Sequence, residues 1–114
     1  MNKAYRLRKN REFQYVYRRG KSSATAHMVL IVAKRRDKGI KIGFSISKKI
    51  GCAVVRNRIK RQMREAVRVE IPRIKPGHTL IFVARAPITK MNFGGLQKDM
   101  VYLMKRTKVW MEEP

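Results

Sequence analysis

At 114 residues the chain is long enough for one domain with a modest core and too short for two. Its 29 Lys and Arg against 7 Asp and Glu give a formal net charge of +22, while 44% apolar residues separate it from a disordered basic tail. That balance disfavours membranes and acidic proteins against the denser anions of a nucleic acid. No apolar run reaches the ~18 residues of a membrane span, and the lone Cys52 excludes an internal disulfide. A soluble cytoplasmic protein without a membrane partner is expected.

Met1 to Lys9 is basic and aperiodic, the pattern of a flexible arm or a docking strand. Asn10 is placed to cap a short helix with Phe13, Val16 and Tyr17 on one face, and Gly20 to close it. Gly20 to His27 reads as a connection with room for a short edge strand. Met28 to Ala33 is apolar on both faces, as a central strand is. After the RRDKG turn, Ile40 to Ser47 alternates: Ile40, Ile42, Phe44 and Ile46 point one way, Lys41, Gly43, Ser45 and Ser47 the other. The two runs are expected to pair as a hairpin.

From Val55 onward a period of about 100° per residue sorts the chain into two faces. Arg56, Lys60, Arg64 and Arg68 follow at i, i+4 spacing with Asn57 and Arg61 beside them, while Val55, Ile59, Met63, Ala66 and marginally Val67 line the other side. No acid occurs between Lys38 and Arg64, and like charges at this spacing cost about 0.2–0.5 kcal/mol per pair. Core packing must therefore hold the helix, and a polyanion relieves it. Pro72 ends it near Ile71. Thr79 to Ala84 is another buried strand after the Pro76-Gly77 turn. Leu96, Met100, Leu103 and Thr107 then mark a last helix from Asn92 or Gly95 to Val109.

A catalytic apparatus is not visible. The acids Glu12, Asp37, Glu65, Glu70, Asp99, Glu112 and Glu113 are scattered, with Glu65 and Glu70 expected to pair with neighbouring arginines. His27 and His78 are the available acid and base of a metal-independent ribonuclease, but nothing fixes their geometry. Two His and one Cys make a poor zinc set, and Cys52 is expected to pack at the loop-helix junction. The polar ridge is mostly Arg, whose planar fork suits phosphate and bases, and Lys48 and Lys49 extend it. Phe13 and Tyr17, with Arg11, Arg18, Arg19 and Lys21 around them, either pack on the sheet or stack a single-stranded base. The small groups opposite Ile42 and Phe44 leave a cleft under the first helix that admits an extended strand.

Lys48-Lys49-Ile50-Gly51, Ala53-Val54, Arg56-Asn57-Arg58-Ile59-Lys60-Arg61 and Arg64-Glu65 resemble the arginine-rich signature of the bacterial ribonuclease P protein subunit. Tyr5-Arg6-Leu7 with Phe13, Phe44-Ser45-Ile46-Ser47, and Ile81 to Arg85 extend the resemblance over nearly the whole chain. It implies a single α+β domain over 1–114 in the order α-β-β-β-α-β-α. About four strands would form a mixed sheet, with the arginine-rich helix in a crossover between parallel strands. It implies a chain with no catalytic residue that assists a catalytic RNA, which uses magnesium to free the 5′ leader from precursor tRNA. Neither a metal on the chain nor an obligate protein partner is expected. Lys48, Lys49, Arg56, Asn57, Arg58, Lys60, Arg61, Arg64 and Arg68 would meet the RNA subunit, and Phe13, Tyr17, Val29, Ile31 and Ser45 would line the leader cleft. Without the resemblance, a structural RNA-binding protein fits the same charge and element order, whether ribosomal or a double-stranded RNA binding module. A DNA-binding regulator fits less well, for want of a dimerisation stripe.

Overall fold

In the computed structural model, which describes residues 3–112, α1 spans Asn10–Arg19, β1 Lys21–Ala24, β2 Met28–Lys34 and β3 Ile40–Ser45. The arginine-rich α2 spans Ala53–Arg68, β4 His78–Ala84 and α3 Phe93–Arg106. The sequence order of elements is the expected one. The four strands form one sheet in the order β1-β2-β4-β3, with β3 and β4 parallel and the other pairs antiparallel. The arginine-rich helix thus sits in the crossover between parallel neighbours.

The hairpin expected between Met28–Ala33 and Ile40–Ser47 does not form, because β4 lies between those strands. Burial explains the exchange. Thr79, Leu80, Ile81 and Phe82 are all buried, so β4 is sealed on both faces and takes a central place. β2 pairs instead with the short β1, through a turn in which the Met28 carbonyl accepts from the Thr25 amide at 2.9 Å. The Arg35–Gly39 connection then has to straddle the turn that feeds β4. Its ends are tied there: the Arg35 amide donates to Gly77 O and the Gly77 amide to Gly39 O, both at 2.8 Å. Gly77 holds φ +84°, a conformation glycine adopts without steric cost.

Strand alternation splits the interior into two layers. Met28, Leu30, Ile42, Leu80 and Phe82 face α2 and α3, where Ile59, Met63, Ala66, Val67, Leu96, Met100, Leu103 and Met104 close the main core. Ile31, Ile81 and Val83 point to the opposite face, where α1 lays Val16 and Phe13 across them. Fully burying an aliphatic side chain contributes about 1.5–3 kcal/mol. Ile59, Met63 and Val67 together therefore outweigh the repulsion along the cationic side of α2, at about 0.2–0.5 kcal/mol per pair. Val55, expected on the same buried stripe, is only half-buried, one turn before the core begins.

Helix ends differ from expectation in detail. Asn10 is the first residue of α1 rather than its cap. Gly20 closes α1 in an extended conformation, and what requires glycine is space, since a Cβ there would lie 2.5 Å from Val16 O and 2.6 Å from Ile31 Cγ2. α2 ends at Arg68, with Pro72 in a separate 3-10 turn, Ile71–Arg73. Asn92 does cap α3, its side chain accepting from the Gly95 amide at 2.7 Å. The α3 stripe closes through Met104 instead of Thr107, whose hydroxyl donates to Leu103 O at 2.8 Å. The basic arm docks as far as it is described: Arg6 bridges to Ile42 on the edge of β3, and the Leu7 amide donates to Ile42 O at 3.0 Å. Residues 1 and 2 lie outside the described residues.

Candidate nucleic-acid interface

With one side of α2 embedded in the core, its other side is set outward. Asn57, Arg58, Lys60, Arg61 and Arg68 are exposed; Arg56 and Arg64 are half-buried. Lys48 and Lys49 continue the surface on an exposed 3-10 turn, Lys48–Ile50, just before the helix. The ridge is not uniformly free. Arg68 grips Glu65 with both ends of its fork, Nη2 to Oε1 at 2.7 Å and Nε to Oε2 at 3.0 Å. That contact holds the Glu65 carboxyl below its ordinary range and the Arg68 guanidinium above its own. Arg56 donates Nε to Gly51 O at 3.2 Å, across the start of the helix. Glu70, expected to pair with an arginine, accepts instead from Gln97 Nε2 of α3 at 3.2 Å. Among the described residues, the outward cations of α2 without such ties are Arg58, Lys60, Arg61 and Arg64.

Arg64 leads to a feature that periodicity did not reveal. With Lys60, Arg6 and Arg8 it lines a crevice of about 320 Å³ whose other walls include Phe13, Gly43 and Phe44. The lining crosses from one side of β3 to the other, around the strand's edge. The Nε atoms of Arg6 and Arg64 are shielded from solvent and, among the described residues, have no hydrogen-bond partner. Four cations therefore converge with no carboxylate in the lining. Arg6 and Arg8 join the ridge only because the arm docks on β3, a long-range contact. The family-like Tyr5-Arg6-Leu7 start was the one signal that could have drawn attention to them.

The second candidate surface is the α1 face of the sheet. Register places Ala24, Val29, Val83 and Ser45 in one row across the strands, and Ser22, Ile31, Ile81 and Gly43 in the next. α1 covers the second row: Phe13 rests on Gly43, and Gly20 presses on Ile31. The first row is left half-buried or exposed, a groove floor beside α1. Phe13 and Tyr17 form its wall, ring centroids 6.4 Å apart, and Tyr17 is 41% exposed. The structure thus brings Phe13, Tyr17, Val29, Ile31 and Ser45 onto one face and adds Val83, which its strand's all-apolar sequence hid. The cations expected around Phe13 and Tyr17 fall elsewhere: Arg11 and Arg18 line one cleft beside Tyr15, Arg19 and Lys21 another.

The histidines do not form a pair. His78 opens β4 opposite Lys34, the end of the strand that His27 precedes, so strand rise separates them by about 20 Å. His27 Nδ1 lies 2.9 Å from Asp99 Oδ2, and the Thr25 hydroxyl donates to the same oxygen at 2.7 Å. This cluster ties the β1–β2 turn to α3. His78 Nδ1 lies 3.1 Å from Lys75 O. Cys52 is exposed, not packed: it stands at the N-cap position of α2, where the amides of Val55 and Val54 lower the pKa of its thiol. Among the described residues no three His, Cys, Asp or Glu side chains are grouped so as to hold a metal ion, and no helix is long and apolar enough to cross a membrane.

Comparison with known proteins adds an independent line. A family profile described as Ribonuclease P matches residues 1–108. The ribonuclease P protein component of an Exiguobacterium species is 41% identical over 113 residues, covering 99% of this chain and 98% of the relative. That of Listeria innocua is 40% identical, covering 100% and 97%. Among solved structures, the Staphylococcus aureus RNase P protein superposes with a TM-score of 0.87 at 36% identity, covering 95% of this chain and 99% of the other. The Thermotoga maritima RNase P protein gives 0.81 at 27% identity, covering 89% and 96%.

Proposed function

The chain belongs to the ribonuclease P protein family, the protein subunit of an endoribonuclease whose catalytic activity lies in its RNA, and from that premise we propose how its surfaces are used. Arg58, Lys60, Arg61 and Arg64, with Asn57, Lys48 and Lys49, bind the RNA subunit. Arg56 and Arg68 flank this set and contribute less, since Gly51 O and Glu65 already engage them. The single observation that carries the proposal is the crevice in which Arg6, Arg8, Lys60 and Arg64 converge without a carboxylate, at the edge of an exposed cationic helix. Phosphate supplies the missing anion there, and Arg forks bind it bidentately.

The groove beside α1 takes the 5′ leader of precursor tRNA as an extended strand. Its floor of Val29, Val83 and Ser45, with Ile31 in the adjoining row at the edge of α1, accepts sugars and bases, and Phe13 and Tyr17 offer stacking, at about 1–3 kcal/mol per base. A duplex, with bases turned inward, has no π-face to offer such a wall. The protein positions the substrate beside the RNA, and the phosphodiester is hydrolysed by the RNA. The magnesium that the reaction uses is assigned to the RNA.

Reconstitution tests this reading. The purified chain alone leaves precursor tRNA uncut; added to a bacterial ribonuclease P RNA at low magnesium, it restores cleavage at the mature 5′ end. Cleavage by the chain alone, or an RNA indifferent to it, refutes the reading.

A further inference from the structure

Tyr15 is left over. It lies on α1 two residues from both Phe13 and Tyr17, on a different side of the helix from the groove, and is 50% exposed. There it walls a cleft of about 650 Å³ with Arg19, Lys21, Lys34, Arg106 and Lys108. The cleft lies toward the strand ends where β2 finishes and β4 begins, and it reaches β1, the sheet edge opposite β3. The arginine ridge and its crevice are at the β3 edge, so this is a separate surface.

Three observations point to its ligand. No acid is among the lining residues, and among the described residues none of its five cations is in an ion pair. Elsewhere the acids do find partners, as in Arg35–Asp37, Arg68–Glu65 and Lys105–Glu112. Second, Lys108 holds φ +63°, the left-handed geometry in which a helix usually ends on glycine. A cation stands there despite the steric cost of its Cβ. Third, the tyrosine ring stands at the rim of a cationic cleft, the pairing by which single-stranded nucleic acids are held without sequence preference.

We propose that this cleft is a second binding site for single-stranded RNA, with Tyr15 stacking one base and Arg19, Lys34 and Lys108 meeting neighbouring phosphates. It extends the RNA-binding role proposed above, which the reconstitution and Arg64→Ala test independently. By strand rise the cleft lies about 16 Å from the groove floor at Val29. Its strand therefore comes either from a distal part of the leader or from an unpaired segment of the RNA subunit.

The test uses the reconstituted holoenzyme with the single variants Tyr15→Ala, Lys34→Glu and Lys108→Gly, and Lys90→Glu as a charge-matched control outside the cleft. Binding of the RNA subunit, of precursors with short and long leaders, and of mature tRNA is followed against salt. Lys34→Glu and Lys108→Gly lower the log-log salt slope by about 0.7 each, while Tyr15→Ala costs about fivefold or more in affinity with the slope unchanged. Lys108→Gly relieves the left-handed backbone, so its melting temperature holds or rises while binding falls. Losses confined to long leaders assign the strand to the leader; losses in RNA-subunit binding assign it to that RNA; either outcome supports the site. Variants indistinguishable from Lys90→Glu, or losses that appear only with a lower melting temperature, overturn it.

Discussion

Gly43→Ala probes the groove at its tightest contact. A Cβ on Gly43 would stand 2.7 Å from Phe13 Cζ, 2.8 Å from Phe13 Cε1 and 3.2 Å from Leu7 Cδ2. Contacts this short force a movement, but what moves is the tip of a ring on a rotatable side chain. The backbone at Gly43 is not in the positive-φ region, so alanine suits it. Overpacking a core costs about 1–3 kcal/mol, and with Phe13 only half-buried the lower end, about 1 kcal/mol, is expected in stability. The larger effect falls on binding. Once the ring leaves its place beside Tyr17, a base stacked on it loses up to about 1–3 kcal/mol, roughly five- to 150-fold in affinity. The assay compares holoenzyme affinity for leader-bearing precursor and for mature tRNA; the first falls and the second does not. In a Phe13→Ala background the new methyl keeps only its 3.2 Å approach to Leu7 Cδ2, so a double-mutant cycle returns most of the effect as coupling. Equal losses in both backgrounds refute the idea that Gly43 acts through Phe13.

Three further outcomes follow from the same geometry. Arg64→Ala weakens RNA-subunit binding and reduces its log-log salt slope by about 0.7–0.9, whereas Arg68→Ala, already paired with Glu65, changes it less; equal slope changes would contradict the distinction. Met63→Ala, at a fully buried position, destabilises the chain by about 2–5 kcal/mol in denaturant unfolding, and a loss below 1 kcal/mol would mean α2 is held by something other than its core face. Alkylation of Cys52 titrates at lower pH than a peptide thiol at about 8.5, since its pKa is lowered by the Val55 and Val54 amides and thiolate forms earlier on the pH scale. A midpoint at or above that of the peptide removes the amides as the cause.

Much of this was legible in the residues because local pattern and burial agree. The two faces of α2 follow from spacing, and the structure buries Ile59, Met63, Ala66 and Val67 as that spacing requires. The alternation of Ile40 to Ser45 places Ile42 in the main core and Gly43 beneath Phe13. Strand order was not legible by the same means. Met28–Ala33 and Thr79–Ala84 both read as apolar on two faces, and nothing local says that the later strand separates β2 from β3. Charge partners failed similarly: Glu70 meets Gln97, 27 residues away, and not a neighbouring arginine. Helical spacing sets Tyr17 beside Phe13 and Tyr15 on another side of α1, but it does not say what either side meets. Only the position of α1 on the sheet sends one to the groove and the other to a basic cleft.

The placement of β3 carries the functional consequence. As an edge strand it is thin on one side, and the crevice around it takes Phe13 and Gly43 from the groove face and Lys60 from α2 beyond the other. The proposed groove over Val29 and Ser45 and the proposed RNA-subunit surface at Lys60 and Arg64 are then neighbours across one β-strand, and Arg6 and Arg8 line the crevice at that edge. Had β3 paired with β2 as local order suggests, β4 would have been the edge, and the cationic helix would have followed the opposite side of the groove. The insertion of β4 is thus what puts the two proposed surfaces, the groove and the cationic ridge, side by side. It also leaves free the β3 edge on which the N-terminal arm carrying Arg6 and Arg8 docks.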